Sequence, residues 1–339
     1  MKAEAVIFRC DANARIGIGH VMRCVALAQA CQERGRQVVF AVRELPMQLE
    51  TRIRGEGFEV VRVGAEASKE DARITLELAR DRGAEWIAVD GDAFEGEFLR
   101  SLQRAGLHIL LLDDFARRRT FPADVILNPN LGATESLYQG QTSAALLVGS
   151  PYVPLRREFI AGRDDRMFPE RARKVLVSLG GSDPENLAPR IAATLGERGD
   201  LNVSIVAGPS YEHWEELQSA AGRNVQTLQD PLGIAQLIAE SDLAITAAGG
   251  TLCELLYSRC PVLSYWRNPV QGRVVRSVAE QGAAYDLGDV GDFSSSMLVE
   301  SMEKVAADSA LRVSMAECGR TLVDGRGAQR VAEAMHSLR

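Results

Sequence analysis

Histidine is scarce, with four in 339 residues, and no recognisable metal-binding motif is built from them. The six cysteines, Cys10, Cys24, Cys31, Cys253, Cys260 and Cys318, include no CxxC pair, which excludes a zinc ribbon or a thioredoxin-type redox motif. No run approaches the roughly 18 apolar residues that a membrane helix needs, so no membrane insertion is expected. The start, MKAEAVIFRCD, lacks the apolar core of a secretory leader, and the expected compartment is the cytoplasm, with reduced thiols. Basic charge is also short: 39 Lys and Arg against 46 Asp and Glu give a net charge of −7. That argues against a general nucleic-acid binder and leaves room for a local site that takes an anionic small molecule. What is present is 46% apolar and 25% charged residues, the mix of a globular protein long enough for two domains.

Short apolar runs alternate with helical patterns, the mark of parallel sheets with crossover helices. In the first half, strands are predicted over 5–9, 37–42, 59–63, 86–90, 108–112 and 124–127, with helices over 21–34, 69–82 and 95–105. The pattern restarts with strands over 174–179, 202–206, 224–227, 243–246 and 262–265. Its helices are predicted over 184–196, 212–221, 234–240, 251–258 and 270–281, then 294–307, 310–323 and 327–338. The charged stretch 156–173 reads as a solvated connection. The expected organisation is an N-terminal Rossmann-like domain over 1–158, a second over 170–325, and a C-terminal helix over 326–339 packing back on the first. Cys24 and Cys31, seven apart on one helix, read as small buried hydrophobes.

Three loops join a strand end to a helix start, where backbone amides and the helix dipole favour anions. The first runs from Arg9 to His20, with Gly17 and Gly19 permitting close backbone approach. It lacks GxGxxG, so a dehydrogenase fingerprint is absent. His20, at the helix N-terminus, is expected to be neutral because the macrodipole disfavours imidazolium; it serves either as a base or as a cap. The second carries Gly180 and Gly181, with Ser182 or Asp183 as an N-cap before Pro184, and as a plain connection it needs no ligand. In the third, Gly250 and Thr251 offer amides to phosphate oxygens, and Glu254 stands one turn on to meet ribose hydroxyls. Asp90, Asp92, Asp113 and Asp114 also sit at strand ends, as sugar ligands, bases or caps, without a metal-ligand spacing. Arg117, Arg118 and Arg119 read as a solvated turn.

The first loop, continued as IGIGHVMRC (16–24), resembles the opening of the PseG/SpsG proteins. These are the UDP-sugar hydrolase of pseudaminic acid biosynthesis and related spore-coat polysaccharide proteins. The likeness continues through LLLDDF (110–115), ADVILNPNLGA (123–133), VPLRREF (153–159) and VSLGGSDPEN (177–186). It then runs through SDLAITAAGGTLCELLYSRCPVL (241–263) and VDGRGAQRVAEAM (323–335). The resemblance implies an α/β, GT-B-like architecture: two Rossmann-like domains facing a central cleft, similar to MurG. It implies UDP in the second domain, with Gly249, Gly250 and Thr251 at the diphosphate, Glu254 at the ribose, the turn 227–231 at the uracil and Gln271 at the donor sugar. The first domain would supply catalytic His20, flanked by Asp11 and Arg23. Where many relatives carry a tyrosine after Asp90 and Gly91, this chain has Asp92. It also reads Asn128-Pro129-Asn130 and Val270 at positions where relatives differ, all on the implied sugar side.

UDP is a good leaving group, so cleavage depends more on stabilising the departing diphosphate than on a strong general acid. A base that activates water on the opposite face then gives inversion. The implied activity is a UDP-sugar hydrolase without cofactor or metal. The alternatives are a glycosyltransferase using the same donor, and a silent sugar-nucleotide sensor. The partner is the UDP-sugar itself, and the pattern carries no signature of oligomeric state.

Overall fold

The computed structural model describes residues 4–13, 16–64, 69–118, 120–161, 166–229 and 233–338. The chain divides into two units, Met1–Arg157 with Gly325–Arg339, and Glu158–Asp324.

Among the described residues the first unit holds seven strands: β1 (Ala5–Cys10), β2 (Gln37–Val42), β3 (Glu59–Arg62), β4 (Ala84–Asp90), β5 (His108–Leu112), β6 (Val125–Asn128) and β7 (Ala145–Val148). All pair in parallel, in the order β3-β2-β1-β4-β5-β6-β7. Runs such as AVIF and VVFAV are buried throughout, as strands covered on both faces must be. Alternation divides them: Val6 and Phe8 join one core cluster, and Ile7, between them, joins the other. The edge strand β7 and the helix Met47–Gly55 were not predicted; ALLV is short, and the helix mixes five polar residues into nine positions.

The last helix, Gly327–Ser337, buries Ala328, Val331, Ala332 and Met335 in the first of these clusters. Arg34, just after the helix Gly19–Glu33, reaches Glu333 at 2.6 Å, and Arg330 donates to the Pro151 carbonyl at 2.8 Å. The helix starts against backbone: a Cβ on Gly327 would lie 2.1 Å from the Val153 carbonyl oxygen and 2.6 Å from the Tyr152 carbonyl carbon. Alanine ordinarily stabilises a helix by about 1 kcal/mol over glycine. Here the sign reverses: Gly327→Ala is expected to destabilise by about 1–3 kcal/mol through overpacking. Urea unfolding checks this, and an unchanged or raised midpoint contradicts the packing.

The second unit repeats the design with β8 (Lys174–Ser178), β9 (Asn202–Ala207), β10 (Val225–Gln229), β11 (Leu243–Ala247), β12 (Val262–Trp266) and β13 (Tyr285–Asp289). Their order is β10-β9-β8-β11-β12-β13, again all parallel. In both sheets the chain reverses direction beside its first strand, the topology that places ligands at the carboxyl ends of strands. β13 was not predicted, because YDLGD is polar, bends at Gly288 (φ +87°) and shifts register against β12.

Two expectations need correction. The helix predicted from Pro184 starts at Ala188, because Asp183 (φ +41°) and Asn186 (φ +50°) turn the chain first; the Asp183 carboxylate then accepts from the Ala188 amide at 2.8 Å. The connection 156–173 is not simply solvated: Arg156, Phe159 and Ala172 are buried, and Arg166 donates to the carbonyls of Ile238, Ser241 and Ser258. No helix among the described residues is long and apolar enough to cross a membrane.

Candidate active site

Register brings the first unit's polar residues together. Cys10 pairs with Asp90, Asp90 with Leu112, and Leu112 with Leu127, so β1, β4, β5 and β6 end in step. The residues that follow, Asp113, Asp114, Asn128 and Asn130, therefore gather with Asp90 at one carboxyl edge. Opposite them the helix Gly19–Glu33 begins, with His20 in its first turn and Arg23 three residues on. Gly17, at φ +76°, donates its amide to the Asn13 carbonyl at 2.8 Å and so turns the chain into that helix. Gly19 is exposed, with nothing near where a Cβ would be.

His20 Nδ1 lies 2.6 Å from Asp90 Oδ1. Arg23 donates Nε to Asp90 Oδ2 and Nη2 to Oδ1, each at 2.6 Å, and Nη1 to Asp114 Oδ1 at 2.7 Å. Asp90 is 1% exposed, and burial alone would favour its neutral form. The Arg23 and His20 charges outweigh that and hold the carboxyl well below the usual range. An ionised carboxylate at this distance favours the tautomer with the proton on Nδ1 and the basic lone pair on Nε2, while Arg23 Nη2 lies 3.1 Å from the same Nδ1.

The electrostatics correct the expectation for His20. Its pKa is raised, first by the Asp90 charge, against the opposing effects of burial and Arg23. A full carboxylate charge at 2.6 Å prevails over the roughly half charge of a helix terminus. Arg23 meets two carboxylates, Asp90 and Asp114. Asp11 engages its carboxylate with other groups than His20: Oδ1 accepts the amides of Arg43 at 2.6 Å and Glu44 at 3.1 Å, and Oδ2 pairs with buried Arg9 at 2.9 Å. It holds the loop after β2.

Tyr138, which the sequence reading passed over, donates to Asp113 Oδ2 at 2.8 Å and accepts from Asn128 at 3.0 Å. Arg118 is not solvated: it donates to the Gly91 and Phe94 carbonyls and lies 3.8 Å from Asp113, tying the loop after β4 to the loop after β5. Arg119 lies outside the described residues.

In the second unit, β11 runs into Gly249 and the helix Gly250–Tyr257. Gly249 and Gly250 are exposed, and a Cβ on Gly250 would meet nothing within 4 Å. The amides of Gly250 and Thr251 thus begin a helix whose first turn faces open space, the arrangement that favours an anion. Glu254 is half-buried one turn on. After β8, Gly180 takes φ +94°, and Gly181 packs so closely on Gly208 that a Cβ there would lie 2.5 Å from the Gly181 Cα. Arg267, also unforeseen, donates to the Leu179 carbonyl at 2.9 Å and to Glu185 at 2.5 Å, bracing this loop from the end of β12. Gln271 turns its Oε1 to the Arg267 amide at 2.9 Å, while Asn268 caps the helix Pro269–Glu280. Of the turn 227–231, Asp230 and Pro231 lie outside the described residues.

No protein-family model matches the chain. It is 25% identical over 334 residues to the spore coat polysaccharide biosynthesis protein SpsG of Bacillus subtilis, covering 97% of this chain and 96% of that protein. It is 27% identical over 271 residues to a UDP-2,4-diacetamido-2,4,6-trideoxy-beta-L-altropyranose hydrolase of Campylobacter jejuni, covering 78% and 92%. Its fold matches MurG of Acinetobacter baumannii with a TM-score of 0.67 at 15% identity, over 99% of both chains. The chain is thus similar in sequence, nearly end to end, to a spore coat polysaccharide protein and to a UDP-sugar hydrolase, and its fold is GT-B-like α/β.

Proposed function

We propose that the chain is a UDP-sugar hydrolase that releases UDP and a free amino-deoxy sugar. Its product would enter nonulosonic (pseudaminic-type) acid or surface-polysaccharide biosynthesis. The observation that carries this reading is the His20–Asp90 couple, a histidine with one nitrogen fixed by a buried carboxylate and the other basic. The similarity to the Campylobacter jejuni hydrolase supports the substrate class.

In this reading His20 Nε2 takes a proton from water as the water oxygen attacks the anomeric carbon. The bond from that carbon to the phosphate oxygen breaks, and its electron pair leaves with UDP. Attack opposite the leaving group inverts the anomeric centre. Asp90 orients the ring and stabilises the imidazolium that forms. Gly17 and Gly19 let substrate approach the backbone beside His20. Gly249, Gly250 and Thr251 take the diphosphate on backbone amides, Glu254 takes the ribose, and Gln271 offers its amide to the sugar. Gly180 and Gly181 shape the neighbouring loop. Asp11 supports the first unit's loops without touching substrate.

The test is UDP release from a panel of UDP-sugars, with and without glycan or lipid acceptors. Release in water alone supports the hydrolase. Release only with an acceptor replaces it with a glycosyltransferase, the reading that the MurG-like fold favours.

A further inference from the structure

Arg23 does not serve Asp90 alone. Its third donor, Nη1, goes to Asp114, which follows β5 by two residues. Asp114 is itself braced: Asn130 Nδ2 donates to its backbone carbonyl at 3.1 Å, to its Oδ1 at 3.3 Å and to Asn128 Oδ1 at 3.0 Å. Asn128 continues to the Tyr138 hydroxyl, and that hydroxyl to Asp113. A hydrogen-bonded chain thus runs from the loops after β5 and β6, through one guanidinium, to the carboxylate that fixes His20. We propose that Asp114, braced by Asn130, is a positioning residue for the His20–Asp90 couple and sets its charge balance through Arg23. The proposal rests on the reading of His20 as the base.

Geometry and charge agree. Among the described residues, the charged groups facing His20 are Asp90 from β4, Arg23 from its own helix and Asp114 from the loop after β5. Cys24 reaches Asp90 from the helix at 3.6 Å, with Cys10 of β1 beside it. Two carboxylates against one guanidinium leave the cluster one negative charge while the ring is neutral. Protonation of His20 removes that charge, so the cluster favours the imidazolium. Without Asp114, Arg23 would be matched by Asp90 alone and would oppose the protonated ring more strongly. A brace that served only the fold would change the melting temperature and leave the ring's titration alone.

The experiment combines an NMR titration of the His20 ring, its signal assigned with His20→Asn, and the pH profile of UDP release. Both are measured on the full chain with Asp114→Asn, Asp114→Glu and Asn130→Ala. For Asp114→Asn the His20 midpoint and the acid limb of the profile should move together to lower pH. Its kcat should fall about 10–100-fold through loss of alignment, with KM little changed. Asp114→Glu restores the charge and should return the midpoint toward that of the parent. Asn130→Ala keeps the charge and loosens the brace, so kcat falls while the midpoint holds; it also serves as the test should Asp114→Asn fail to fold. A midpoint and kcat unmoved in Asp114→Asn overturn the proposal, as does a rise in KM at constant kcat, which would make Asp114 a substrate contact. Normal turnover in His20→Asn overturns the base reading instead, and the ring titration still reports whether Asp114 couples to His20.

Discussion

Replacing His20 by asparagine should lower turnover about 10²–10⁴-fold, the usual contribution of general-base catalysis, and leave UDP affinity nearly unchanged. Affinity should hold because the amides proposed for UDP belong to the second unit. The fold should tolerate the change, since Asp90 keeps both hydrogen bonds from Arg23. In the parent protein, activity requires the neutral ring, so the rate should rise with pH through the raised His20 pKa, and the acid limb should lie above 6.5. The stability linkage has the matching sign. A folded-state pKa above the unfolded value contributes stability that is complete below the unfolded pKa and is lost as pH rises through the folded one. Turnover profiles and melting temperatures across pH 5–9 check both. A stable His20→Asn variant with near-normal turnover would remove the base assignment.

Gly250→Val should weaken UDP binding about 10–100-fold, the equivalent of about one charge-assisted hydrogen bond, without destabilising the protein. A Cβ at this position meets nothing within 4 Å beyond its chain neighbours and its own helix backbone, so the branch starts into open space before the first helical turn. Valine is also no worse than glycine as a helix residue. Calorimetry with UDP, beside a melting curve, separates the two effects. Unchanged affinity in the folded variant would mean that the diphosphate is held elsewhere.

The fold was legible wherever apolar runs were long enough to need cover on both faces. β1, β2 and β5 carry that signal in their own composition, whereas β13, with two aspartates and a glycine in five residues, does not. Strand-end chemistry was legible for the same reason: Asp90, Asp113 and Asn128 each close or follow an apolar run, so their gathering follows from parallel pairing in step. Which of them pair with which was not. Arg23 meets Asp90 and Asp114 across 67 and 91 residues of chain, and nothing local records those separations. Asp11 shows the converse case. It stands beside the glycine loop in sequence, yet Arg9 and the amides after β2 claim its carboxylate. The sign of the His20 shift failed for a related reason, because the helix terminus is visible in sequence and the carboxylate that outweighs it is not.

The most direct test of water attack at the anomeric carbon is a reaction followed by NMR and mass spectrometry in ¹⁸O-water, without acceptor, on the UDP-sugar that the panel selects. The account predicts one ¹⁸O in the free sugar, none in UDP, and the inverted anomer appearing first. Label in the UDP phosphate, the retained anomer first, or no UDP release until an acceptor is added would contradict it.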